Sequence, residues 1–107
     1  MDDVQIFDQI LTGLENNNET MVETGLEYAL TKGGVESLDH KHKLVRSNIF
    51  RNDWSKTHDF GQLSICEIAK ICSENPESIG YSEDHKSIGR YLCNKIDKLK
   101  TKSKHAD

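Results

Sequence analysis

Two helical segments separated by helix-breaking residues lie within residues 64–99, and this stretch constrains the fold most strongly. Ser64 and Glu67 have the spacing of a capping box, in which each side chain binds the backbone amide of the other residue. Pro76 and Gly80 then interrupt the helical pattern. The apolar residues of the following segment recur at helical spacing: Ile88, Leu92, Ile96 and Leu99. The pattern predicts a short helix, a turn and a longer helix, as in helix-turn-helix proteins.

The second helix of this pair is expected to open near residues 82–84 and to carry a polar side opposite its apolar stripe. Such side chains contact phosphate oxygens and base edges in protein–DNA complexes. The same pattern is also typical of any surface helix whose polar side is merely solvated. The candidate nucleic-acid-binding residues are Lys86, Ser87, Arg90, Asn94 and Lys98.

A glycine in the middle of the predicted second helix indicates a close contact. Glycine in a helix interior costs about 1 kcal/mol relative to alanine. We therefore expect the first helix of the pair to cross over Gly89, and Arg90 to point away from that contact.

The same stretch resembles the winged-helix-like module at the C-terminal end of phage and plasmid primase-helicases of the virulence-associated E type. The matching positions are Ser64, Glu67, Ile68, Ile88, Gly89, Arg90 and Leu92. The resemblance implies a DNA-contacting helical pair in a phage- or plasmid-encoded protein. It covers roughly a third of the chain and includes neither a P-loop nor a primase site, so it implies no catalysis. The family closes with an aromatic strand, whereas this chain continues as a lysine-rich tail.

The first third of the chain, residues 1–34, predicts an acidic helical hairpin. Asp2 or Asp3 suits the cap of a first helix, and three consecutive asparagines end it. Thr20 and Glu23 have the spacing of a second capping box. A Gly-Gly pair is expected to end the second helix.

The rest of the chain completes a single all-α domain over residues 1–107. Apolar spacing predicts a third helix over residues 37–51, within a third-helix-and-connector segment at residues 37–63. The helix-turn-helix-like pair with its basic tail occupies residues 64–102. No alternating strand pattern longer than about four residues is present, which favours the all-α class.

Charge is distributed unevenly along the sequence. Residues 1–40 hold nine acids against one base, a balance of −8, whereas residues 85–107 hold seven bases against two acids, a balance of +5. This asymmetry predicts an acidic face and a basic face that meet different partners. Alternatively, the two halves attract each other within the fold.

The sequence lacks the residue patterns that several other functional classes require. No run approaches the ~20 apolar residues of a membrane span, and the acidic N-terminus does not match a signal peptide. The chain contains three cysteines, an odd number that favours a reducing, cytoplasmic location over a disulfide framework. No zinc-ligand spacing, phosphate-binding loop or nucleophile–base pair is recognisable, so we expect no metal, no cofactor and no enzymatic activity.

Two functions remain. The leading prediction is a small regulatory protein that docks its last helix on double-stranded DNA, with the hairpin mediating homodimerisation or partner contact. The alternative is a phage-type inhibitor or adaptor, such as an anti-CRISPR or polymerase-directed protein. It would place an acidic surface in the nucleic-acid channel of a host protein. The acids of that surface are Glu15, Glu19, Glu23 and Glu27.

Overall fold

The structure, a computed structural model, describes residues 2–43 and 62–104. Within these residues the chain forms four α-helices, and the prediction of a small all-α domain is confirmed. The helices are α1 (Asp3–Glu15), α2 (Glu19–Gly33), α3 (Ile65–Glu74) and α4 (Lys86–Lys104). None of the helices among the described residues is long and apolar enough to cross a membrane.

The starts of α1 and α2 depend on local caps, one of which was predicted wrongly. Asp2 caps α1 through a reciprocal box with Gln5, in which each backbone amide lies 2.9 Å from the other side chain. The second capping box, predicted at Thr20 and Glu23, is wrong. Asn18 caps α2 instead, its side chain accepting from the Met21 amide at 3.1 Å. Asparagine is the stronger N-cap residue, so the helix begins before Thr20.

The hairpin of α1 and α2 is antiparallel and closely packed at two glycines. A Cβ atom placed on Gly13 would lie 2.6 Å from Val22 Cγ2, and one placed on Gly25 would lie 2.6 Å from Ile10 Cγ1. A side chain at either position would therefore force neighbouring groups of the hairpin to shift. Its buried apolar residues are Ile6, Phe7, Ile10, Leu11, Leu14, Val22, Leu26 and Ala29.

The segment after α2 corrects the prediction of a third helix over residues 37–51. A 3₁₀-helix spans Val35–Asp39, and strand β1 (His42–Lys43) pairs antiparallel with strand β2 (Gln62–Leu63). The prediction is wrong over residues 37–43, and the remainder of it lies outside the described residues. Gly34, at φ 70°, ends α2 and turns the chain. The Ser37 hydroxyl then donates to the Ala29 carbonyl at 3.0 Å, which holds this turn against α2.

The pair α3–α4 begins with the predicted capping box. Ser64 Oγ accepts from the Glu67 amide at 3.1 Å, and Glu67 Oε1 accepts from the Ser64 amide at 3.0 Å. After α3 the chain forms a 3₁₀-helix at Pro76–Ile79, a left-handed turn at Gly80 and a further 3₁₀-helix at Glu83–His85. The connection, residues 75–85, is thus longer than the three- or four-residue turn of a typical helix-turn-helix.

The close approach predicted at Gly89 is confirmed. A Cβ atom there would lie 2.4 Å from the backbone nitrogen of Ser73 and 2.6 Å from the carbonyl carbon of Cys72. The apolar residues of the pair share one core with the hairpin: Ile65, Ile68, Ala69, Cys72, Ile79, Tyr81, Ile88, Leu92 and Ile96.

Candidate nucleic-acid interface

The candidate site is the exposed side of α4. Ile88, Leu92 and Ile96 are buried at intervals of four residues, so the opposite side of this 19-residue helix faces solvent. At about 100° per residue, the five predicted site residues fall within an arc of roughly 120°. The structure therefore brings together the residues predicted to bind nucleic acid: Lys86, Ser87, Arg90, Asn94 and Lys98. All of them are exposed except Lys86, which is half-buried.

The cations of α4 divide into those paired with acids and those without such a partner. Lys86 Nζ lies 2.7 Å from Glu83, and Lys95 Nζ lies 3.0 Å from Glu23. Lys100 Nζ donates to Asp39 at 2.9 Å. By contrast, Arg90 and Lys98 form no ion pair with any of the described residues. Lys102, which is also exposed, forms none there either, so three of the described cations of α4 are available to an anion.

Three further residues share this exposed side and were missed in the sequence. Asp97, Thr101 and Lys102 are exposed. The signal that could have found them is the helical period, since Asp97 and Thr101 lie three and seven residues after Asn94. The list of candidate residues left out the acid at position 97 and stopped one turn before Thr101 and Lys102. We define the α4 face by its exposed members: Ser87, Arg90, Asn94, Asp97, Lys98, Thr101 and Lys102.

The acids predicted to bind a protein partner are not equally available. Glu19 and Glu27 are exposed on α2. Glu23 is instead occupied within the fold, accepting from Lys95 Nζ and from Tyr91 Oη, each at 3.0 Å. Both hydrogen bonds lower the pKa of the Glu23 carboxyl, and the bond from Lys95 has the larger effect. Glu15 is half-buried at the end of α1.

The neighbouring residues Asp84 and His85 have a structural role at the start of α4. His85 Nε2 donates to the Glu15 carbonyl at 3.0 Å, while Nδ1 accepts from the Ser82 amide at 3.2 Å. The Asp84 carboxylate accepts from the Asn17 side chain at 3.1 Å. Nε2 therefore ties the start of α4 to the end of α1, the Asp84 carboxylate binds the turn after α1, and Nδ1 closes the local turn that begins at Ser82.

A groove of about 310 Å³ lies between α3 and α4, beside the α4 face. Burial raises the pKa of the Cys66 and Cys93 thiols in its wall, and it raises the pKa of the deeper Cys72 to about 12. The thiols are therefore protonated near neutral pH and behave as small apolar groups. No group of three or more potential metal ligands occurs in the part of the chain that the structure describes. The groove is lined by Cys66, Lys70, Ser73, Glu74, Cys93, Ile96, Asp97 and Lys100.

Comparison with known proteins adds no further constraint. No protein-family model, no curated protein and no solved structure matches the chain. The resemblance of residues 64–99 to primase-helicase modules therefore stays a prediction, and any functional assignment depends on the geometry of the α4 face.

Proposed function

We propose that the protein binds double-stranded DNA through the α4 face, as a non-catalytic binding or regulatory protein. The observation that supports this proposal is the contrast among the cations of α4. Lys86, Lys95 and Lys100 are neutralised by neighbouring acids, whereas Arg90 and Lys98 are exposed on one side without an ion pair among the described residues. Free cations with interspersed hydroxyl and amide side chains suit a phosphate backbone.

The dimensions of α4 fit this ligand. A helix of 19 residues is about 28 Å long, and with side chains its diameter of about 10–12 Å matches the ~12 Å width of the major groove. Arg90 and Lys98 lie eight residues apart, which places them about 12 Å from each other along the helix axis. Two phosphates of one groove can therefore be met at once.

The acidic hairpin favours one orientation of the complex. Residues 1–40 carry a balance of −8, which repels phosphate, while residues 85–107 carry +5. A polyanion that approaches the molecule is thus steered towards α4 and away from α1 and α2.

A salt titration with a fluorescently labelled duplex of random sequence tests this proposal. Two or three neutralised phosphates predict a slope of log K against log salt of about −1.8 to −2.7. Arg90→Ala and Lys98→Ala should each weaken binding and make the slope shallower by about 1.

Lys95→Ala is the matched control, because it removes the same charge from a lysine already held by Glu23. Its slope should stay close to that of the unaltered protein. No detectable binding at low salt would refute the proposal, and so would an equal loss from Lys95→Ala and Arg90→Ala.

The alternative, a protein inhibitor with an acidic surface, has weaker support in the geometry. Of its four acids, Glu23 is occupied by Lys95 and Tyr91 and Glu15 is half-buried, which leaves two exposed, Glu19 and Glu27. If this function is the true one, Glu19→Lys with Glu27→Lys should abolish capture of a host protein, while Arg90→Ala should not.

A further inference from the structure

One acid lies on the α4 face among its free cations. Asp97 is exposed, and it forms no ion pair with any residue in ranges 2–43 and 62–104. It lies seven residues after Arg90, which places the two side chains only about 20° apart around the helix. Asn94 lies one turn before Asp97 on the same side. The acid therefore belongs to the surface that would face the ligand.

A carboxylate in this position opposes binding to phosphate. Affinity that comes only from phosphate contacts rises with each neutralised phosphate, and a negative charge on the same surface reduces it. A carboxylate can nevertheless accept a hydrogen bond from the N4 amino group of cytosine, and an asparagine amide can pair with N6 and N7 of adenine. Both contacts are made in the major groove.

From this arrangement we infer that Asp97 and Asn94 determine sequence selectivity, an inference that rests on the proposed function. Asp97 accepts from a cytosine amino group, and Asn94 binds an adenine at a nearby base pair. The three-residue separation is about 4.5 Å along the helix axis, comparable to the ~3.4 Å rise between base pairs. Arg90 and Lys98 contact the flanking phosphates.

The test is a selection from a library of random-sequence duplexes, followed by affinity measurements on a selected duplex and a scrambled one. The unaltered protein should enrich sites that contain neighbouring cytosine and adenine. Asp97→Asn should bind the scrambled duplex more tightly, because a repulsive charge is gone. It should also lower the selected-to-scrambled ratio by about 5- to 150-fold.

Two controls separate selectivity from net charge and from phosphate binding. Glu36→Gln removes one negative charge from an exposed position outside the α4 face and should leave the ratio unchanged. Arg90→Ala should weaken binding to both duplexes by a similar factor. Asn94→Ala should lower the ratio with little effect on the scrambled duplex.

The outcomes also distinguish this inference from the proposed function. Salt-dependent binding without any enriched sequence, or an unchanged ratio in Asp97→Asn, overturns the inference and leaves DNA binding standing. Failure of the unaltered protein to bind any duplex overturns both.

Discussion

At the scale of single residues, formal charge does not decide which side chains are available. Lys95 and Arg90 lie five residues apart on α4, yet Lys95 is bound to Glu23 while Arg90 is exposed. Exposed ion pairs contribute little to stability, but each one neutralises a cation that could otherwise meet phosphate. The pairs are therefore more important for where a ligand binds than for how stable the fold is.

His42 should make stability depend on pH. Burial lowers the pKa of His42, with a smaller opposing influence from the nearby charge of Asp3, and its ring stacks on Phe7 with centroids 4.9 Å apart. The unfolded chain therefore binds a proton more readily than the folded one. The stabilisation is present above the ordinary histidine pKa of about 6.5 and is lost as the pH falls below it.

Urea unfolding from pH 7.5 to pH 5 measures this effect, with His42→Gln as the comparison that removes the titrating group. The free energy of unfolding should fall more steeply for the unaltered protein than for the variant. Parallel curves for the two proteins would show that His42 does not contribute.

At the scale of elements, the crossing of α3 and α4 depends on Gly89. A side chain there would meet the backbone of Ser73 and Cys72, which cannot move as a flexible side chain can. Gly89→Leu should therefore destabilise the protein by about 1–3 kcal/mol or prevent the pair from packing. Chemical denaturation measures the change.

Arg90→Ala is the control for this prediction, since it alters the next residue on the exposed side of the same helix. Its free energy of unfolding should stay within about 0.5 kcal/mol of that of the unaltered protein. If Arg90→Ala destabilised the protein as much as Gly89→Leu, Arg90 would be a structural residue.

Local signals in the sequence predicted the helices where a cap or a stop lies within the same few residues. The cap at Asp2 and the box at Ser64 are of this kind, because each side chain meets a backbone amide three residues along the chain. The helix predicted from residue 37 does not form at its start, because a tertiary contact there outweighs the helical spacing of the apolar residues. Ser37 is bound to the Ala29 carbonyl, and Leu38 is fully buried in a 3₁₀-turn.

At the scale of the whole molecule, the charge asymmetry is partly satisfied within the fold. Some charges of the two halves attract each other, as in the contacts of Lys95 with Glu23 and of Lys100 with Asp39. Arg90 and Lys98 take no part in these pairs among the described residues, and they leave a cationic surface on α4. Helical period alone could predict which residues share that surface. The Lys86–Glu83 pair is local, three residues apart, but only tertiary contacts between distant segments could show that Lys95 and Lys100 are neutralised.

The most direct test of the central claim is an NMR titration of the isotopically labelled protein with a short random-sequence duplex at low salt. We predict chemical-shift changes centred on the α4 face, at Ser87, Arg90, Asn94 and Lys98, with the hairpin residues Glu19 and Glu27 unaffected. Changes centred on the hairpin, or no changes at all, would contradict the assignment of α4 as the DNA-binding surface.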